Sequence, residues 1–118
     1  MAGFKLAVGR LNRTVRFERR VPLVDPLSAG EEAWEKVATV RAEVQDKRPS
    51  RDERLAEGMR IATRQARVIT HYRRDIDASM RMVLDDGSVM QIVGGPAELG
   101  RRQALELVVE EYSGAGNA

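Results

Sequence analysis

Apolar and polar residues alternate with a period of two through several short stretches of this chain, and turn-forming residues separate those stretches. In Asn12–Val21, Val15, Phe17 and Val21 fall on one side and Arg16, Glu18 and Arg20 on the other, which predicts a half-buried strand. Arg19 interrupts the apolar side and points to an exposed end or an edge. Two prolines with Asp25, Ser28 and Gly30 follow, and 22–32 reads as the tip of a long hairpin. From Trp34 to Gln45 the alternation resumes, with Val40, Ala42 and Val44 against Arg41, Glu43 and Gln45. Trp34 and Ala38 share the apolar parity. Pro49, which has no ladder donor, stops this second strand.

The period then changes. Ser50–Glu53 fits a capping box, Leu55, Ala56 and Met59 fall on one helical face, and Gly58 suits a C-terminal cap. One short helix over 50–58 follows, with an extension to Gln65 as the alternative. Arg67–Tyr72 is rich in β-branched residues and predicts a third strand, and Arg73–Ser79 is a polar turn. Met80, Met82 and Leu84 alternate with Arg81 and Val83, and Asp86-Gly87 is a strong two-residue hairpin signal. Ser88–Val93 is the return strand, which Gly94-Gly95-Pro96 is expected to end. In Ala104–Glu111, Leu105, Leu107 and Val109 face inward and Glu106 and Glu110 outward. The pattern predicts a mainly-β fold: a small barrel or sandwich of about six antiparallel strands with one short inserted helix.

A chain of 118 residues fits one domain, with its core over about 10–112 and a flexible N-terminal segment and 113–118 tail. Apolar residues are 42% of the chain, but only Phe4, Phe17, Trp34, Tyr72 and Tyr112 are aromatic, so the core must be mostly aliphatic. No apolar run approaches the roughly 18–20 residues of a membrane span, and Met1–Asn12 does not read as a signal peptide. Without cysteine there is no disulfide framework, thiolate nucleophile or zinc-thiolate site, and a cytosolic origin is the natural expectation.

Net charge is only +2, yet it is unevenly spread. Residues 1–20 hold six basic residues and one acidic, 21–46 two and six, and 47–74 nine and three. Blocks of this kind suggest faces of opposite sign that steer association, with a nucleic-acid patch as the competing explanation. The inventory for catalysis is thin. His71 is the only histidine and lies in a predicted strand. Asp75 with Asp77, and Asp85 with Asp86, sit in turns where aspartate is expected for backbone reasons. The serines lack a nucleophile-elbow context, and Gly94-Gly95 precedes proline with no helix start, so it is no phosphate loop. No enzyme, metal or cofactor is expected. Arg48, Arg51, Arg54, Arg60, Arg64 and Arg67 recur around the predicted helix, but no aromatic stacking platform accompanies them, and Asp52, Glu53 and Glu57 are near to pair with them.

In order and spacing, LNRTVRFERR, GEEAWEKVATVRAEV, RVITHYRRDIDASMRMVLDDGSVMQIVGG and RRQALELVVEE resemble the phage head–tail joining family. These are the head-closure or stopper proteins of long-tailed phages, also found in gene transfer agents and prophages. The resemblance spans roughly residues 10–112, and its most specific pieces are Trp34 with Val37–Val44 and the block Ile69–Arg81. It implies a barrel-like fold with a helix after the second strand, and a ring of identical subunits at the virion neck. Such a ring contacts a portal or adaptor above and a tail protein below, retains packaged double-stranded DNA without sequence-specific contact, and offers a platform for the tail. Arg48, Arg51, Arg54, Arg60 and Arg64, with Asp25, Glu31 and Glu32, are then candidates for subunit contacts or the DNA channel. A tail terminator or other neck protein with the same barrel is the alternative role. An OB-like nucleic-acid-binding module is the alternative of another class.

Overall fold

The computed structural model describes residues 5–22, 33–47 and 64–111. A 3₁₀ turn, Val8–Arg10, leads into six strands: β1 (Arg13–Val21), β2 (Ala33–Lys47), β3 (Gln65–His71), β4 (Arg81–Leu84), β5 (Val89–Leu99) and β6 (Ala104–Glu111). Every neighbouring pair is antiparallel, and the order β1-β2-β3-β6-β5-β4 closes on itself as a barrel. The mainly-β expectation holds, and of the two architectures it is the barrel. The helix expected over 50–58, the 22–32 hairpin tip beyond Pro22 and the tail lie outside the described residues.

Alternation decides what fills the barrel. Val15 and Phe17 of β1, Val68 of β3, Met82 of β4, Met90 of β5, and Leu107 and Val109 of β6 have no exposed surface. Sizes are mixed around the barrel: Phe17 sits between Ala38 and Met82, and Val109 between Ala66 and Ile92. A narrow barrel is filled by such mixing of sizes without voids. Ile76 and Met80, from the segment between β3 and β4, are also buried and join the same core. Among the described residues Thr70 is the one polar inward residue with no exposure, and its hydroxyl donates to the Arg41 carbonyl at 2.9 Å. Among the described residues no buried side-chain nitrogen or oxygen lacks a partner.

The outward residues form a polar belt. Following paired positions from Lys36 of β2 leads to Glu18, Arg81, Gln91, Glu110 and Gln65, and returns to β2 at Lys47 rather than at Lys36. This stagger is what closing six tilted strands requires. It also divides β2 into two parts. Ala33–Ala42 pairs with β1, and Ala42–Lys47 pairs with β3. The far end of the β1–β2 hairpin therefore extends past the closed wall as a two-stranded arm.

Two irregularities correct the alternation. Phe17 pairs with Ala38 but Glu18 with Lys36, so Val37 is an extra residue in β2. A bulge of this kind reverses side-chain parity beyond it. Trp34, which shares the apolar parity by simple counting, consequently stands on the outer surface, half-buried and outside the core cluster. The second correction concerns β5, which does not end at Gly94-Gly95-Pro96 but continues to Leu99 against β6, with register shifts on both sides of Gly94. Gly95 has φ +78°, and a Cβ there would come within 2.5 Å of the Glu106 carbonyl oxygen. Only glycine permits so close a passage of the two backbones.

The hairpin expected at Asp86-Gly87 is present, but its loop is the three residues Asp85–Gly87 rather than two, a turn closed by Gly87 in the left-handed region. Gly87 has φ +91°, its N–H donates to the Leu84 carbonyl at 2.9 Å, and the Leu84 N–H donates to the Ser88 carbonyl at 2.9 Å.

Candidate assembly surface

The outer face of β1, β2 and β4 is built around one carboxylate. Glu18 follows the bulge and is only 7% exposed. Arg16, two residues earlier on the same face, donates to it through Nε at 2.7 Å. Arg81, opposite on β4, donates to its other oxygen at 2.7 Å. Burial raises the Glu18 pKa, but the hydrogen bonds from Arg81 and Arg16 outweigh it, and the net shift is downward. The carboxylate thus stays ionised and fixes both guanidinium groups. Arg81 also lies over the Trp34 ring at 4.3 Å from its centroid, and Arg20 lies over it at 5.8 Å, both within cation–π range. Lys36 is exposed beside Glu18. Two arginines share a single acid, so this face is net positive and its geometry is rigid.

The other aspartates and arginines are mostly committed to one another. Asp85 receives Arg13 Nε at 3.0 Å, Arg13 Nη2 at 2.6 Å and the Thr14 N–H at 3.3 Å. The Arg13 hydrogen bonds are the main reason its pKa falls to about 2. Asp86 accepts the Ser88 N–H at 2.9 Å, the first cause of its own lowered pKa. Arg73 pairs with Asp75 at 2.7 Å, and Asp77 accepts the Ser79 N–H at 2.9 Å. Asp75, Asp77 and Asp86 have the local partners expected in turns, whereas Asp85 is held by Arg13 and Thr14 of β1. Among the described residues no three His, Cys, Asp or Glu side chains gather as a metal would require. His71 is exposed at the rim of a hollow of about 590 Å³ that Val8, Leu11, Val40, Arg41 and Tyr72 also line.

Of the candidate residues read from the sequence, Asp25, Glu31, Glu32, Arg48, Arg51, Arg54 and Arg60 lie outside the described residues. Arg64 lies just before β3 and reaches Asp46 at 2.6 Å, Asp86 at 3.2 Å and the Ser88 hydroxyl at 3.2 Å. It binds the end of β2 to the β4–β5 turn. The Arg16–Glu18–Arg81–Trp34 group was not among the candidates. Its members lie on three strands, and no spacing in the chain announces them. The available signal was Glu18 itself, the only acid among the first twenty residues, with arginines on both sides.

A small closed barrel with a rigid charged outer face is an architecture suited to contact with other macromolecules. The chain belongs to the phage head completion protein family, whose sequence model matches residues 6–112. That membership makes it a component of the virion at the head–tail junction, with a role in head closure. Among solved structures it is similar to protein SF1141 from Shigella flexneri 2a, determined in solution. The match has a TM-score of 0.67 and 27% identity, and covers 92% of this chain and 98% of that one. No curated protein matches.

Proposed function

We propose that this chain is the head-closure subunit that forms a ring with copies of itself at the neck of a tailed virion or gene transfer agent. The ring lies beneath the portal or its adaptor, holds packaged double-stranded DNA in the head, and presents a platform to the tail. The observation that carries this reading is the family match over residues 6–112, nearly the whole chain. The barrel is consistent with it. Closure removes most of the sheet edges that would otherwise invite disordered aggregation, while the β1–β2 arm extends beyond the wall, where a neighbouring subunit could take it up. The described residues also favour assembly over nucleic-acid reading. The guanidinium groups of Arg81 and Arg20 already lie against the ring of Trp34 and would compete with a base stacking there.

Deletion of the gene tests the proposal. Electron microscopy of the resulting particles should show heads without density at the neck, largely emptied of DNA and without tails. Persistence of that density in the deletion would overturn it.

A further inference from the structure

The closed order of the strands puts β1 and β6 three steps apart in either direction, on opposite sides of the barrel. Their charges are opposite as well. β1 carries four arginines and one glutamate, and β6 carries three glutamates and no cation. Much of this charge is balanced within the chain, so the surplus is what matters. On the β1 side Arg16 and Arg81 share Glu18, leaving one positive charge over, and Lys36 adds another without an acidic partner among the described residues. On the β6 side Arg67 is paired with Glu106. Glu43 accepts only from the amide of Gln45, and Glu110 has no cation in contact among the described residues. The nearest cations in the Glu110 row, Lys47 beyond Gln65 and Arg81 beyond Gln91, each stand two strands away, about 10 Å, where screening is already strong. Each side also offers an apolar anchor. Trp34 lies on the basic face, and Val93, 49% exposed, bulges from β5 beside β6.

We infer that the ring is joined head to tail, with the Trp34–Lys36–Arg81 face of one copy seated on the Glu43–Glu110 face of the next. The inference rests on the ring reading above and specifies its contact. A ring of more than two copies needs two different, complementary patches on each subunit, and the β1-centred basic face and the β6-centred acidic face are such a pair. They propagate from copy to copy and close into a ring when the rotation between copies permits. The occupant of the basic face is a second copy because the matching acidic patch is on the same molecule. A basic face turned toward the lumen would instead hold the phosphate backbone of DNA that has to pass.

Charge exchange tests this contact in particles assembled with the full-length chain. Lys36→Glu and Glu110→Lys should each lower the number of copies bound per particle more than tenfold. The double variant, or an equal mixture of the two single variants, should return it to within twofold of wild type, because the exchange restores every junction. Single variants that incorporate at the wild-type level would overturn the contact, as would a double variant no better than the singles. A Lys36→Glu effect on DNA retention that Glu110→Lys does not rescue would give the basic face to DNA and overturn it too. Should a single variant fold poorly by circular dichroism, cross-linking decides. The chain has no cysteine, so Lys36→Cys with Glu110→Cys and a flexible bismaleimide should give a ladder beyond dimers, and neither substitution alone should give any product. No ladder, or dimers from one substitution alone, refutes the contact. Absence of the wild-type chain from the particle neck would instead defeat the ring reading, a distinguishable result.

Discussion

Glu18 and Asp85 are both held by arginines reaching across from another part of the barrel, and both have pKa values shifted downward. They differ in their access to water. The Glu18 side chain is 10% exposed and the Asp85 side chain 37%. At Asp85 the solvent can replace whatever Arg13 supplies, so the pair costs little to break and salt weakens it. At Glu18 no water stands ready, and each arginine answers a desolvation cost already incurred. The same two kinds of side chain therefore hold a turn in one place and form a rigid part of the wall in the other.

The largest break in this comparison comes from Arg81→Met, which keeps much of the cover over Trp34 but leaves Glu18 with Arg16 alone. Urea denaturation should show a loss of about 2 kcal/mol. Glu18→Gln is the milder partner. It keeps an acceptor, removes the buried charge, and should cost about 1 kcal/mol in the same measurement. Once Glu18→Gln is in place, Arg81→Met should cost less than it does in wild type, which a double-mutant cycle reads directly.

Asp85→Asn should have a smaller effect than either, and its midpoint difference from wild type should shrink as salt is raised to about 1 M. The smallest effect, and the sharpest, is in titration. By NMR the Asp85 carboxyl should titrate at about 2, and Arg13→Ala should move it toward the ordinary aspartate value of about 3.9. A carboxyl with a lowered folded-state pKa stabilises fully above its unfolded value and loses that contribution as pH falls. The stability supplied by Asp85 should therefore drain away between about pH 4 and pH 2.

Most of the strands could be read from the chain because the inward rows keep a strict period of two. Val15 and Phe17, and Leu105 to Val109, stand where alternation places them, and a hairpin forms at Asp86-Gly87 with a loop one residue longer than expected. What escaped was the extra residue. Val37 carries no mark of being a bulge, yet it decides that Trp34 faces outward and that Glu18 meets Lys36. Gly94-Gly95-Pro96 misled for the opposite reason. These residues usually end a strand, but here glycine lets β5 pass close against the Glu106 carbonyl and go on. The charged face was hidden for a third reason. Arg16, Trp34 and Arg81 meet only because β1 has β2 on one side and β4 on the other, and pairing between distant segments leaves no local trace.

The placement of Trp34 has a practical consequence. It is the only tryptophan in the chain, and it sits under two guanidinium groups at the surface. Its emission is therefore an unlabelled optical gauge of that one spot. A red shift would announce loss of the Arg81 cover, and a blue shift the arrival of anything that shuts out water, so binding on this face can be followed in a cuvette before any particle is imaged.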